Sequence, residues 1–178
     1  MAGQNVEDAT VAFSLFPDAF YESVLDIRPQ ALTQRGITLL LADLDNTLVP
    51  YKVPVPSVEL IAWREEMEAG GVQVFLLSNS RKPGRPGRFA RELGIPFLGH
   101  AGKPKRGGFL KAMEQMGRTP EQTAIIGDQI FTDILGGNRS DITSVLIRPI
   151  RLAGNPGRYI RYWMETPFRL VGQRRGKL

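Results

Sequence analysis

The sequence contains no cysteine. Disulfides, thiolate nucleophiles and cysteine-ligated metals are therefore excluded. Histidine occurs once, as His100, which excludes any centre that needs two imidazoles. No apolar run approaches the roughly 18 residues of a membrane-spanning helix. The first ten residues are polar and acidic, unlike a secretory signal, so a cytoplasmic protein is expected. Internal repeats and low-complexity linkers are also missing. What remains is an ordinary globular composition, 42% hydrophobic and 23% charged over 178 residues, a length that suits one domain of about 100–200 residues.

The net charge of +5 is unevenly placed. Arg148, Arg151, Arg158, Arg161, Arg169, Arg174, Arg175 and Lys177 face Glu165 alone in the last stretch. A second cluster is formed by Arg81, Lys82, Arg85, Arg88 and Arg91. Such patches attract polyanions such as nucleic acid, anionic membrane or phosphorylated substrates, or they are solvated faces.

Five short apolar runs punctuate the chain: Ile37–Asp43, Val72–Ser78, Ile95–Gly99, Thr123–Gly127 and Thr143–Ile147. They are rich in Val, Ile and Leu without alternation, as in strands buried on both faces. Pro96 assigns the third to an edge. Helical spacing is expected over Ser57–Ala69 and Gly107–Met116, with Trp63 and Met67 in the core. A short helix at Phe131–Leu135 is expected to end at Gly136-Gly137, with Gly136-Gly137-Asn138 as its terminator. A further helix is expected over Tyr159–Val171, broken or kinked at Pro167. The expected fold is a three-layer α/β/α Rossmann-like domain with a mainly parallel five-stranded sheet. Residues 37–150 would form its core. Residues 1–36 would be a helical extension (Pro17–Ile27 and Pro29–Arg35), and 151–178 a basic C-terminal segment of the same domain.

Ligands in such sheets sit beyond the carboxyl ends of the strands, and the reactive residues fall there. The first strand runs into Asp43-Leu44-Asp45-Asn46-Thr47 and the second into Ser78-Asn79-Ser80. Lys103 follows the third, and Gly127-Asp128 with Asp133 follows the fourth. Magnesium takes hard oxygen ligands, commonly one or two carboxylates with phosphate and water. Asp43, Asp45 and Asp128 are the candidate metal ligands. Asp43 is the candidate nucleophile, and Asp45 the group that protonates the leaving oxygen and later deprotonates water. Thr47, Ser78, Asn79 and Lys103 are the candidate phosphate-binding residues. His100 reads as a structural histidine.

These residues resemble the four motifs of the haloacid dehalogenase superfamily: DLDNT at Asp43–Thr47, Ser78 in LLSNS, Lys103 in GKPKRGG, and Asp128 and Asp133 in GDQIFTD. The resemblance implies a magnesium-dependent phosphate monoester hydrolase that works through an aspartyl-phosphate, with Asp133 supporting the metal site or Lys103. LFPDAFYESVLDI, LDNTLVPY and GDQIFTDILGGNRSDITSVLIRPI further resemble the YqeG-type branch of subfamily IIIA. That branch is similar to mitochondrial phosphatidylglycerophosphate phosphatases, which implies a lipid phosphate monoester as substrate.

The gaps from Thr47 to Ser78 and from Ser78 to Lys103 each hold about one helix and one strand, so no cap domain fits. An open site suits a phosphorylated substrate anchored elsewhere, a lipid headgroup above all. Arg81, Arg85 and Arg88 would reach a second phosphate from a non-helical rim (KPGRPGR). Arg158–Trp163 mixes cations and aromatics as interfacial helices do, which suits peripheral contact with an anionic membrane. Whether those aromatics, and Phe13, Leu15, Phe16, Phe20 and Tyr21, face the core or the solvent is left open. Two other readings stand beside this one: a soluble phosphatase for a sugar phosphate or nucleotide, and a nucleic-acid-binding protein with a vestigial site. No nucleic-acid-binding motif is present, so nucleic acid is not the expected partner. The oligomeric state is not legible.

Overall fold

The structure, a computed structural model, describes residues 13–150 and 156–178. The acidic first ten residues and Arg151 lie outside the described residues, as does the side chain of Arg158. In chain order the elements are β1 (Ala19–Tyr21), α1 (Pro29–Thr33), β2 (Leu39–Ala42), α2 (Val58–Ala69), β3 (Gln73–Leu77), α3 (Arg85–Leu93), β4 (Phe97–Leu98) and α4 (Arg106–Met116). They continue with β5 (Thr123–Gly127), one wide π turn at Ile130–Ile134, α5 (Leu135–Arg139), β6 (Thr143–Ile147) and α6 (Pro156–Arg175).

All strand pairs are parallel, in the order β1-β6-β5-β2-β3-β4. The lack of alternation in the apolar runs now has its reason. Leu40, Ala42, Val74, Leu76, Ala124 and Ile126 join one core, while Leu39, Leu41, Phe75, Leu77 and Ile125 join another. Each face of the sheet is covered, and each fully buried Leu or Ile contributes about 1.5–3 kcal/mol. Trp63 and Met67 are core residues, as expected, and Trp63 Nε1 donates to Ile27 O at 3.1 Å.

Several expectations need correction. The sheet has six strands rather than five, because Ala19–Tyr21 is a strand where a helix was expected. Its buried Ala19 and Tyr21 flank a half-buried Phe20, and pairing with β6 satisfies backbone groups of both strands. The remaining edge of β1 is covered by the segment after α6: Phe20 N donates to Gly176 O at 2.8 Å and Leu178 N to Tyr21 Oη at 3.2 Å. Of Pro17–Ile27, only Val24–Asp26 turns helically, as a short 3-10 turn capped by Ser23.

The expected non-helical rim is in part α3. Pro86 lies in its first turn, where a missing N–H costs nothing, and Gly87 lets Phe97 pack against the helix. Gly136-Gly137 does not end a helix but lies inside α5. A Cβ there would stand 2.5 Å from Phe109 or Ile125, so these glycines permit close packing. α6 runs on through Pro167. α2 and β3 fill the first inter-motif gap, and α3 and β4 fill the second, which leaves no length for a cap.

Candidate active site

β2 lies between β3 and β5. From β2 the chain moves to β3 and β4 on one side, then returns to β5 and β6 on the other, so the order of strands reverses between β2 and β5. Crevices at such reversals are where open α/β sheets bind ligands. Register pairs Ala42 with Ile126, and Asp43 N donates to Ile126 O at 3.0 Å. Asp43 and Asp128 therefore emerge from adjacent strands.

Asp43, Asp128 and Asp133 form a buried cluster in which one ligand oxygen from each lies within 4.8 Å of the others. Lys103 Nζ reaches Asp43 Oδ1 and Asp133 Oδ1, both at 2.7 Å. Burial alone would lower the lysine's pKa, but Asp133 and Asp43 more than reverse this and raise it, so it stays charged. Burial pushes the Asp133 carboxyl up to about 6, against the pull of Lys103 and with help from Asp43. Asp133 Oδ2 also accepts from Gln129 N at 3.2 Å. Gly127 makes this approach possible, because a Cβ there would stand 2.2 Å from Asp133 Cγ.

The donor set suits a hard divalent cation: three buried carboxylates, of which Lys103 binds two. The carboxylate of Asp45 is not in this cluster. It is held by Arg85, whose Nη2 and Nε lie 2.7 and 3.1 Å from Asp45 Oδ1. Arg85 Nη1 also donates to Val53 O at 2.8 Å.

Asn79 positions the lysine segment from both sides. Its Nδ2 donates to Lys103 O, and its Oδ1 accepts from Lys103 N, each at 2.9 Å. Ser78 is buried, and its Oγ accepts from Ser80 N at 3.1 Å. Thr47 is buried, and its Oγ1 has no partner among the described residues. Asp43, Ser78, Asn79, Lys103, Asp128 and Asp133 thus gather at one sheet edge, while Asp45 and Arg85 form a tethered pair beside it.

Asp43, Asn79 and Lys103 line a cavity of about 460 Å³, together with Arg81, His100, Gly102, Gln129, Thr132 and Arg161. His100 is exposed on this cavity. Of the three arginines expected near a second phosphate, Arg81 lines the cavity. Arg85 is committed to Asp45, and Arg88 lines a separate recess with Tyr51 and Lys82.

Sequence reasoning missed a clamp on the Asp128 loop. Arg169 of α6 donates to the Asp128 carbonyl and, at 2.6 Å, to Glu165 Oε2. Glu165 Oε1 accepts from Phe131 N at 3.3 Å. Glu165 and Arg169 are both buried. Their only sequence signal is the i,i+4 spacing of opposite charges.

A profile of the HAD-hydrolase-like family matches residues 100–149. The probable phosphatase YqeG of Bacillus subtilis (strain 168) is 36% identical over 155 residues, covering 87% of this chain and 88% of that protein. The chloroplastic phosphatidylglycerophosphate phosphatase 1 of Chlamydomonas reinhardtii is 32% identical over 171 residues, covering 86% of this chain and 64% of that one. Cobalt-bound deoxy-D-mannose-octulosonate 8-phosphate phosphatase from Haemophilus influenzae matches with a TM-score of 0.51 at 19% identity, covering 81% of this chain and 92% of that chain. That likeness bears on the fold alone.

Proposed function

We propose that this chain, which belongs to the YqeG-type phosphatases of the haloacid dehalogenase superfamily, hydrolyses a lipid phosphate monoester, with phosphatidylglycerophosphate as the first candidate, through an aspartyl-phosphate on Asp43. The observation that carries the reading is the Asp43–Lys103 pair in a cavity that Arg81 and Arg161 also line. A diester phosphate next to the scissile group would find those two guanidinium groups. The relative from Chlamydomonas bears the name of such an enzyme.

Mg²⁺ is the proposed cofactor; Asp43, Asp128 and Asp133 would hold it, and its charge would offset that of the phosphoryl oxygens. Lys103 Nζ supplies further positive charge beside Asp43. The Asp43 carboxylate attacks phosphorus, the ester P–O bond breaks, and the leaving oxygen takes a proton from Asp45. Water then attacks the aspartyl-phosphate, Asp45 recovers its proton, and inorganic phosphate departs. Asp45 must exchange Arg85 for the leaving group to do this, so Arg85 sets where that carboxyl waits. Asn79 keeps Lys103 in place through its two backbone hydrogen bonds.

No described helix is long and apolar enough to cross a membrane, so the lipid would be met at its headgroup. The test is phosphate release from phosphatidylglycerophosphate in mixed micelles with Mg²⁺, set beside sugar phosphates and nucleotides, with Asp43→Asn as control. Release from the lipid that the control lacks is expected. Release from a sugar phosphate or nucleotide alone would replace the lipid reading with a soluble one.

A further inference from the structure

α6 buries one opposite-charge pair and exposes a row of apolar residues, which is unusual for a surface helix. Glu165 and Arg169 are buried, at 1% and 5% exposure. Ile160, Trp163, Met164, Pro167 and Leu170 are exposed. At about 100° per residue these five fall within an arc of roughly 120°, so they form one continuous stripe. Trp163 is 79% exposed and Ile160 64%. A cluster of this kind, unlike scattered single apolar residues, marks a contact surface.

The charge along the helix has one sign. Its one acid is Glu165, which is buried and bound by Arg169, while Arg161, Arg174 and Arg175 are exposed, with Lys177 just beyond. Apolar residues and cations without exposed acid complement an anionic bilayer, where each surface cation strengthens binding about fivefold. A second copy of the chain would set these same cations against each other. Arg161, which borders the stripe about 60° around the helix from Met164, lines the catalytic cavity, so whatever covers the stripe also lies beside the site.

We infer that the outward face of α6 is a docking surface for an anionic phospholipid bilayer, which receives the stripe in its headgroup layer and brings the cavity to membrane-borne phosphate esters. The inference deepens the lipid-phosphatase reading and rests on it for its purpose, but its test requires no turnover.

The full chain is sedimented with vesicles of phosphatidylcholine alone, or of phosphatidylcholine and phosphatidylglycerol in equal parts, and tryptophan emission is recorded. The chain has two tryptophans; Trp63 is buried, so a change on binding reports Trp163. Wild type should co-sediment with the anionic vesicles, less so at high salt, with emission moved to shorter wavelength. Trp163→Glu combined with Met164→Glu should lower the bound fraction at least about tenfold. It should keep the wild-type urea midpoint and the hydrolysis of a water-soluble aryl phosphate. Leu170→Glu, elsewhere on the stripe, gives an independent reading in the same direction. Arg174→Gln with Arg175→Gln should weaken binding by about fivefold per charge and flatten its salt dependence.

No binding by wild type, or equal binding by wild type and both stripe variants, overturns the inference. So does a wild-type oligomer, indifferent to vesicles, that the stripe variants dissociate, since a second copy would then be the occupant. Failure to dock with lipid hydrolysis in micelles intact removes docking alone. Docking without lipid hydrolysis removes the substrate reading alone.

Discussion

Among the described residues charge is buried in two places, and the two are built differently. At the ends of β2 and β5, Asp43, Asp128 and Asp133 gather around Lys103, three carboxylates with one ammonium that binds two of them. On α6, Glu165 and Arg169 are matched one to one, and backbone groups of the Asp128 loop take up further hydrogen-bonding capacity of both. A balanced and hydrogen-bonded pair holds structure in place. An excess of buried carboxylates is a standing cost that a cation relieves, which is why the first group reads as chemistry and the second as its support.

The difference can be broken at its chemical end first. Asp43→Asn should cut turnover by at least about a thousandfold while leaving the urea midpoint within about 1 kcal/mol of wild type, because it removes charge from the surplus side. Lys103→Met should cut turnover by about a hundred- to a thousandfold and also destabilise, since the carboxylates then face each other without their ammonium. Glu165→Gln should do the opposite of Asp43→Asn. Breaking the balanced pair should cost about 3–5 kcal/mol of stability, with turnover reduced through a loosened Asp128. Replacing both members, as Glu165→Leu with Arg169→Met, should restore most of that stability without restoring turnover if the clamp positions the loop. Urea titration and steady-state kinetics separate these outcomes.

The surplus should also show in the pH dependence of the cation-free protein. Asp133 ionises near 3.8 as an unperturbed group but only about 6 in the fold. Between those values the folded state keeps a proton that the unfolded chain has lost, so stability from this group falls as pH rises from about 4 to 6. Asp133→Asn should flatten that fall in urea midpoints taken across the range. The smallest effect is expected at Thr47, whose buried hydroxyl has no partner among the described residues. Thr47→Val should leave stability unchanged or improve it slightly, and should raise KM if the hydroxyl receives phosphate.

The balanced pair was also the harder one to read. Asp43, Ser78 and Asp128 each follow a buried apolar strand and Lys103 follows the edge strand β4, so the parallel sheet that the runs imply already brings them to one edge. Glu165 is marked in the sequence only by its i,i+4 spacing to Arg169, because its value depends on a backbone carbonyl and a backbone N–H far away in the chain. The same holds for β1, whose three residues make sense as a strand only once β6 is beside them. Pro86 and Gly87 read as loop because local propensity cannot show Phe97 waiting to fill the space a side chain would need. Trp163 on a helix reads equally well as core or as surface, and only the inward turn of Glu165 and Arg169 decides it.

The segment that covers the edge of β1 has a mechanical consequence for the helix before it. Gly176 is stitched to Phe20, and Arg175 Nη1 donates to Pro17 O at 3.0 Å, while Glu165 and Arg169 fasten the middle of the same helix to the loop that bears Asp128. A rod pinned at two stations cannot pivot. With α6 docked on a bilayer as inferred above, the height of Asp43 over the headgroups would be a constant of the protein, and an ester would be admitted only if its own stem lifted the phosphate that far.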